Sequence, residues 1–125
     1  MLPYLAAFCH GLAKSTALHA LGVDCPCKKC SRPIGGREVG RTLVSAGKEE
    51  LIFRLIPDKL GVPPAVATVA FGLAHVDMSK DQGHNAYRIP DATIGGMVYD
   101  SAYKQHGIVG STIAHAIHNL ATRLK

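Results

Sequence analysis

The chain has 125 residues, of which 47% are hydrophobic and 6% aromatic, and it carries a formal charge of +5 at neutral pH. That length suits one domain with a modest core and excludes two comfortable ones. The four cysteines are grouped rather than spread as a disulfide framework, which favours a reducing compartment.

Met1-Leu2-Pro3-Tyr4 lacks the basic region that opens a signal peptide. Residues 1 to 23 carry apolar side chains at Leu2, Leu5, Ala6, Cys9, Leu12, Ala13, Ala17, Ala20 and Leu21, the three-and-four spacing of a helix that Gly22 stops. Residues 24 to 41 concentrate cysteine, proline, glycine and basic charge, and predict a loop or small knuckle. Ser45 is placed to cap a second helix that Pro57 ends. Leu60 to Val76 holds no formal charge and supplies a third helix entered at Pro63-Pro64; its seventeen residues are at the lower limit for a bilayer span. Asp77 to Asp91 is too charged for burial and predicts a loop. Asp91 then caps a fourth helix that runs to Gln105 with Gly107 as its stop, and a last helix runs from Ile108 to Leu124. No strand pattern competes. The expected fold is therefore an all-α compact bundle of about five helices. Its boundary falls between an N-terminal helix with a cysteine-rich basic loop (1–44) and a helical core (45–125).

The mean hydropathy of +0.12 lies between that of a soluble helical domain and that of a weakly hydrophobic membrane protein, and both settings stay open. Lys28, Lys29, Arg32, Arg37, Arg41 and Lys48 gather the basic charge ahead of an acid pair. In a membrane protein such a loop faces the cytoplasm. In a soluble one it is solvated or meets the phosphate of nucleic acid or lipid.

Three helices carry polar groups at a spacing of four. In Glu49-Glu50-Leu51-Ile52-Phe53-Arg54, Glu50 and Arg54 share a face at the spacing that favours an ion pair, while Glu49 is turned by about 100° toward Ile52, Phe53 and Ile56. A carboxylate aimed at an apolar face is costly unless hydrated, protonated or hydrogen-bonded, and such a group suits a general base. Phe71/His75 and His115/Asn119 repeat the spacing, so an antiparallel bundle could bring Glu49, His75, His115 and Asn119 to one point. His118, three residues after His115, is placed to compete for the same pocket. By residue type Glu49, His75 and His115 are also a His₂Glu set of the kind that holds catalytic zinc, although no HExxH is present.

In this order the motifs resemble those of the CAAX-protease and bacteriocin-processing (CPBP, or Abi) family of intramembrane peptidases, which carry EExxxR, FxxxH and HxxxN on successive helices. Here they read Glu49-Glu50 to Arg54, Phe71 to His75 and His115 to Asn119, and Ile94-Gly95-Gly96 through His115 is similar to the glycine-rich approach to the last motif. The resemblance covers about residues 45 to 123. It implies a metal-free, glutamate-dependent peptide-bond hydrolase acting on a peptide or protein at or near a membrane. In that reading Glu49, helped by His75, activates water; His115 and Asn119 stabilise the oxyanion; Glu50, Arg54 and Phe71 hold the site in shape. Asp100, Lys104, His106, Thr112 and His118 make the expected spans more polar than the family's. The competing class is a non-catalytic assembly or immunity-type module whose buried polar pairs specify packing, and the competing location is cytoplasmic.

Cys25, Cys27 and Cys30 are candidate ligands for a structural zinc ion, with Cys9 or His10 as the fourth. A second tight pair is missing, and reduced thiols or a redox pair are the alternatives.

Overall fold

The computed structural model describes residues 1–20, 34–76 and 82–124. Four helices make up the described chain, and no strand occurs among these residues. Helix α1 is Leu2–Ala20; α2 comprises Gly36–Glu50, a π-helical turn Leu51–Leu55 and a last turn Ile56–Lys59; α3 is Pro64–Leu73; α4 is Gln82–Ala121. The long α4 is the spine, and α1, α2 and α3 all pack against it.

Gly107 divides α4 into two arms. Its φ of 65° and ψ of −162° lie in a region open essentially to glycine alone. The expected stop is thus a kink between two rods rather than a loop, and the two arms with the other three helices give the compact all-α bundle that the periodicity predicts.

Several boundaries differ from expectation. Helix α2 starts nine residues before Ser45, capped by Gly35, so Arg37 and Arg41 belong to a helix and Ser45 lies exposed within it. Arginine is a good helix former, and the first turn is fastened from afar: the Arg123 guanidinium donates to Glu38 Oε1 at 2.7 Å. Pro57 does not end α2. It enters the last turn, and the Phe53 carbonyl that its missing N–H leaves unpaired accepts a hydrogen bond from Arg54 instead. The stop comes at Gly61, with φ 72° and Val62 N–H bonded to the Pro57 carbonyl at 2.8 Å, in the six-to-one bond of a Schellman motif.

The charged stretch read as a loop up to Asp91 is helical from Gln82 onward. Asp91 caps nothing: it lies inside α4, 2.5 Å from Lys14 Nζ and 3.3 Å from His10 Nε2 on α1. Charge on its own argued for a loop, but a carboxylate supplied with cationic partners by another helix can be half-buried. On the same interface the α1 backbone presses close to the second arm of α4. A Cβ on Gly11 would stand 2.6 Å from the His118 carbonyl oxygen and 2.8 Å from Ala121 Cβ.

The interior is small and partly polar. Ala7, Phe71, Tyr99, Ala102 and Ala114 form its apolar cluster, and Glu50, Arg54, His115 and His118 are buried beside it. The outside carries much of the large apolar surface, including Leu51, Ile52, Val66, Val69, Leu73, Met97 and Val109. A polar centre inside an apolar exterior suits a helix bundle in contact with lipid or with further protein. Among the described residues no helix is long and apolar enough to cross a membrane.

Candidate active site

Three elements bring the polar residues together. The end of the first α2 segment presents Glu49 and Glu50, the turn after α3 presents His75, and the second arm of α4 presents His115. Directly after the two glutamates the backbone widens into the π-helical turn, where the Ile56 N–H bonds to the Leu51 carbonyl five residues back. Such turns are rare and concentrate at functional sites. This one sets the relation of Arg54 to Glu50, and a 3.6-residue reading could not foresee it.

Glu50 is fully buried, and its Oε1 lies 2.8 Å from His115 Nδ1. A carboxylate can only accept, so Nδ1 carries the proton. Arg54 faces Glu50 at 3.9 Å from Nε to Oε2, too long for a hydrogen bond. The expected pair is therefore Coulombic, and the guanidinium donates elsewhere: Nη2 to the Gly96 carbonyl at 2.6 Å and Nη1 to the Phe53 carbonyl at 2.8 Å. Pro57, four residues beyond Phe53, has no N–H to offer that oxygen, which leaves it open to Arg54. Burial lowers the Arg54 pKa from its ordinary value, against the opposing pull of Glu50, Asp100 and Tyr99. Phe71 supports the guanidinium from one side, its ring centroid 5.5 Å from Cζ.

Glu49 is not the partnerless acid that helical geometry suggests. Its Oε2 lies 3.8 Å from His75 Nε2 and 3.7 Å from His115 Nε2. His75 Nδ1 is 2.7 Å from the Phe71 carbonyl oxygen and therefore donates to it. Both imidazoles thus spend an Nδ1 proton on a fixed acceptor and turn Nε2 toward the same carboxylate oxygen. Exposure separates the two acids: the Glu49 side chain is 34% exposed and that of Glu50 is at 0%. Reagents can reach the first and not the second.

Asn119 is half-buried one turn beyond His115, and none of the contacts among the two glutamates, His75 and His115 involves it. His118 does not compete for the pocket. It turns toward α1, its ring 4.7 Å from that of His10. Burial, with Lys14 and His10 adding to it against Asp91, pushes its pKa down to about 3, so it is neutral.

Among the described residues no group of three His, Cys, Asp or Glu side chains is arranged to hold a metal ion, so neither the His₂Glu reading nor the cysteine reading gains support. Cys25, Cys27 and Cys30 lie outside the described residues. Cys9 is exposed with a free thiol, and His10 is engaged with Asp91.

A cleft of about 420 Å³ opens on the other side of Phe53 and Arg54, between the end of α2, the start of α3 and the Gly107 kink. Asp58–Tyr103 and Asp100–Lys104 pairs stand along it, at 3.0 Å and 2.7 Å. Glu49, His75 and His115 do not line it.

The model of the type II CAAX prenyl endopeptidase Rce1-like family matches residues 39–121. The chain belongs to that family. The match takes in α2 from its fourth residue, α3 and all of α4, and leaves α1 outside. No curated protein matches the chain, and no solved structure does. Members of the family are membrane-associated peptidases without a known need for a cofactor.

Sequence reasoning missed Tyr99. Its ring lies flat on that of His115, with centroids 4.4 Å apart and planes 11° apart. Only its place in the glycine-rich approach to His115 marked it, because a contact between sixteen-residue neighbours on one bent helix has no short-range periodicity.

Proposed function

We propose that this protein hydrolyses a peptide bond in a peptide or protein substrate at or near a membrane, with Glu49 as general base. The observation that carries the reading is the convergence of His75 Nε2 and His115 Nε2 on Oε2 of the one reachable acid, at 3.8 and 3.7 Å. Both separations exceed hydrogen-bond length, so Glu49 Oε2 and the two Nε2 atoms stand around one point without bonding to one another. A water molecule suits such a gap, because it can give a proton to Glu49 and offer the attacking oxygen.

The water gives one proton to Glu49 as its oxygen bonds to the scissile carbonyl carbon. His75, held by the Phe71 carbonyl, orients it. His115 can donate to the developing oxyanion from Nε2 only as an imidazolium, and the buried Glu50 carboxylate at its Nδ1 stabilises that charge. Asn119, on the next turn of the same helix, supplies a second donor once substrate is bound. The C–N bond then breaks, and Glu49 returns its proton to the leaving amine. Glu50, Arg54 and Phe71 act by fixing this arrangement. The family's name refers to CAAX prenyl endopeptidases, which makes a prenylated CAAX peptide the first probe to try.

The test is cleavage of a farnesylated CAAX peptide and of a quenched-fluorescence peptide library by wild type and Glu49→Gln, with and without chelator, in soluble and membrane fractions. We expect chelator-insensitive cleavage that Glu49→Gln lowers by about 10²-fold or more. Equal turnover in both proteins, or loss on chelation alone, would refute the mechanism. If both are folded and inert on every probe, the polar centre is the packing code of a non-catalytic bundle.

A further inference from the structure

Tyr99 has no part in the reaction as written. It is nevertheless 2% exposed, with its ring face stacked on that of His115. Phe71 stands edge-on both to it and to His115, at 5.9 Å and 86° and at 5.6 Å and 84°. His118 meets it edge-on, at 5.9 Å and 75°. The ring folds back over its own helix into space that Gly95 leaves open: a Cβ there would stand 3.0 Å from the Tyr99 hydroxyl and 3.3 Å from Cζ.

Resting on the peptidase reading, we infer that Tyr99 is a positioning residue. Its ring face holds the His115 imidazole flat, so that Nδ1 meets Glu50 while Nε2 faces Glu49.

A parallel stack at 4.4 Å removes the freedom of the imidazole to rotate about its last torsion, which decides where Nε2 points. The charged and titratable groups around His115 fit this division. Glu49 and Glu50 face it from α2, with Arg54 directed at Glu50; His75 faces Glu49 from the turn after α3. On α4 the neutral His118 lies across Tyr99, and from α1 His10 reaches that ring.

The experiment uses full-length protein with ¹⁵N-labelled histidine, as wild type, Tyr99→Phe and Tyr99→Leu. Ring-nitrogen spectra are recorded across pH beside cleavage kinetics on the farnesylated CAAX peptide. Tyr99→Phe keeps the face and should match wild type. In Tyr99→Leu the His115 ring-nitrogen signals should move and broaden as the imidazole regains freedom about its last torsion. The kcat of this variant should fall about tenfold with KM within about twofold. Wild-type His115 spectra in Tyr99→Leu, or equal losses in Tyr99→Phe, would overturn the inference.

Should Tyr99→Leu fail to fold, Gly95→Ala decides. Its methyl displaces the tyrosine, so the His115 signals should move, and combining it with Tyr99→Phe, which removes the hydroxyl, should restore them. Unmoved signals in folded Gly95→Ala overturn the inference. The spectra need no substrate, so a wild type that cleaves nothing while His115 follows Tyr99 sinks the peptidase reading and not the stack.

Discussion

Replacing Arg54 by Met tests whether the centre of the bundle is held by charge. Arg54 is 3% exposed and gives two short hydrogen bonds to the Gly96 and Phe53 carbonyls, while its charge faces a Glu50 that has no exposure. Charge-assisted bonds contribute about 1.5–3 kcal/mol each, and removing one partner of a buried pair costs about 3–5 kcal/mol in total. These figures overlap, because both include the unpaired Glu50 charge, and methionine regains about 1.5 kcal/mol by apolar burial. We expect a net loss of about 3–4 kcal/mol, which for a chain of this size lowers Tm by about 10–15 °C. Far-UV circular dichroism during heating measures it. The sharper form is a double-mutant cycle: if the orphaned carboxylate is the source, Glu50→Gln with Arg54→Met should be more stable than Arg54→Met alone. A Tm within about 3 °C of wild type, or additive losses in the double variant, would refute the reasoning.

Three further outcomes are expected. Glu49→Gln should abolish cleavage while leaving Tm within about 2 °C of wild type, because its side chain is one-third exposed and its histidine contacts are long; a large fall in Tm would make Glu49 a structural residue. Gly107→Ala forces a side chain into φ 65°, ψ −162° and should cost about 1–3 kcal/mol, whereas Gly40→Ala, at a helical site with open space for a Cβ, should gain about 0.5–1 kcal/mol in the same melts. For His118 the folded pKa of about 3 lies below the ordinary histidine value of 6.5. Between these values the unfolded chain binds a proton that the native chain does not, so stability falls as pH drops, by at most about 1.4 kcal/mol per unit. Chemical denaturation at pH 7 and pH 4.5 should show a shallower loss in His118→Gln than in wild type, and equal slopes would refute the assignment.

Local features of the chain were sufficient for much of this. Apolar spacing marked the helices, Pro63-Pro64 the entry to α3 and Gly107 the break in α4, because each acts through backbone geometry within a few residues. The four-residue spacings of Glu50/Arg54, Phe71/His75 and His115/Asn119 put each pair on one helical face for the same reason, since one helical turn is a local ruler.

Tertiary structure decided the rest. Helicity at Asp91 depends on Lys14 and His10, and the fastened first turn of α2 depends on Arg123; neither partner is visible from the neighbouring sequence. The helical ruler paired Glu50 with Arg54 and left Glu49 alone. In the fold Glu50 takes its short hydrogen bond from His115, and Glu49 faces two histidines across the bundle. Which of two adjacent acids is reachable, and which ring lies on His115, are properties of how helices pack. Packing energy comes from contacts far apart in the chain, and no short-range pattern encodes them.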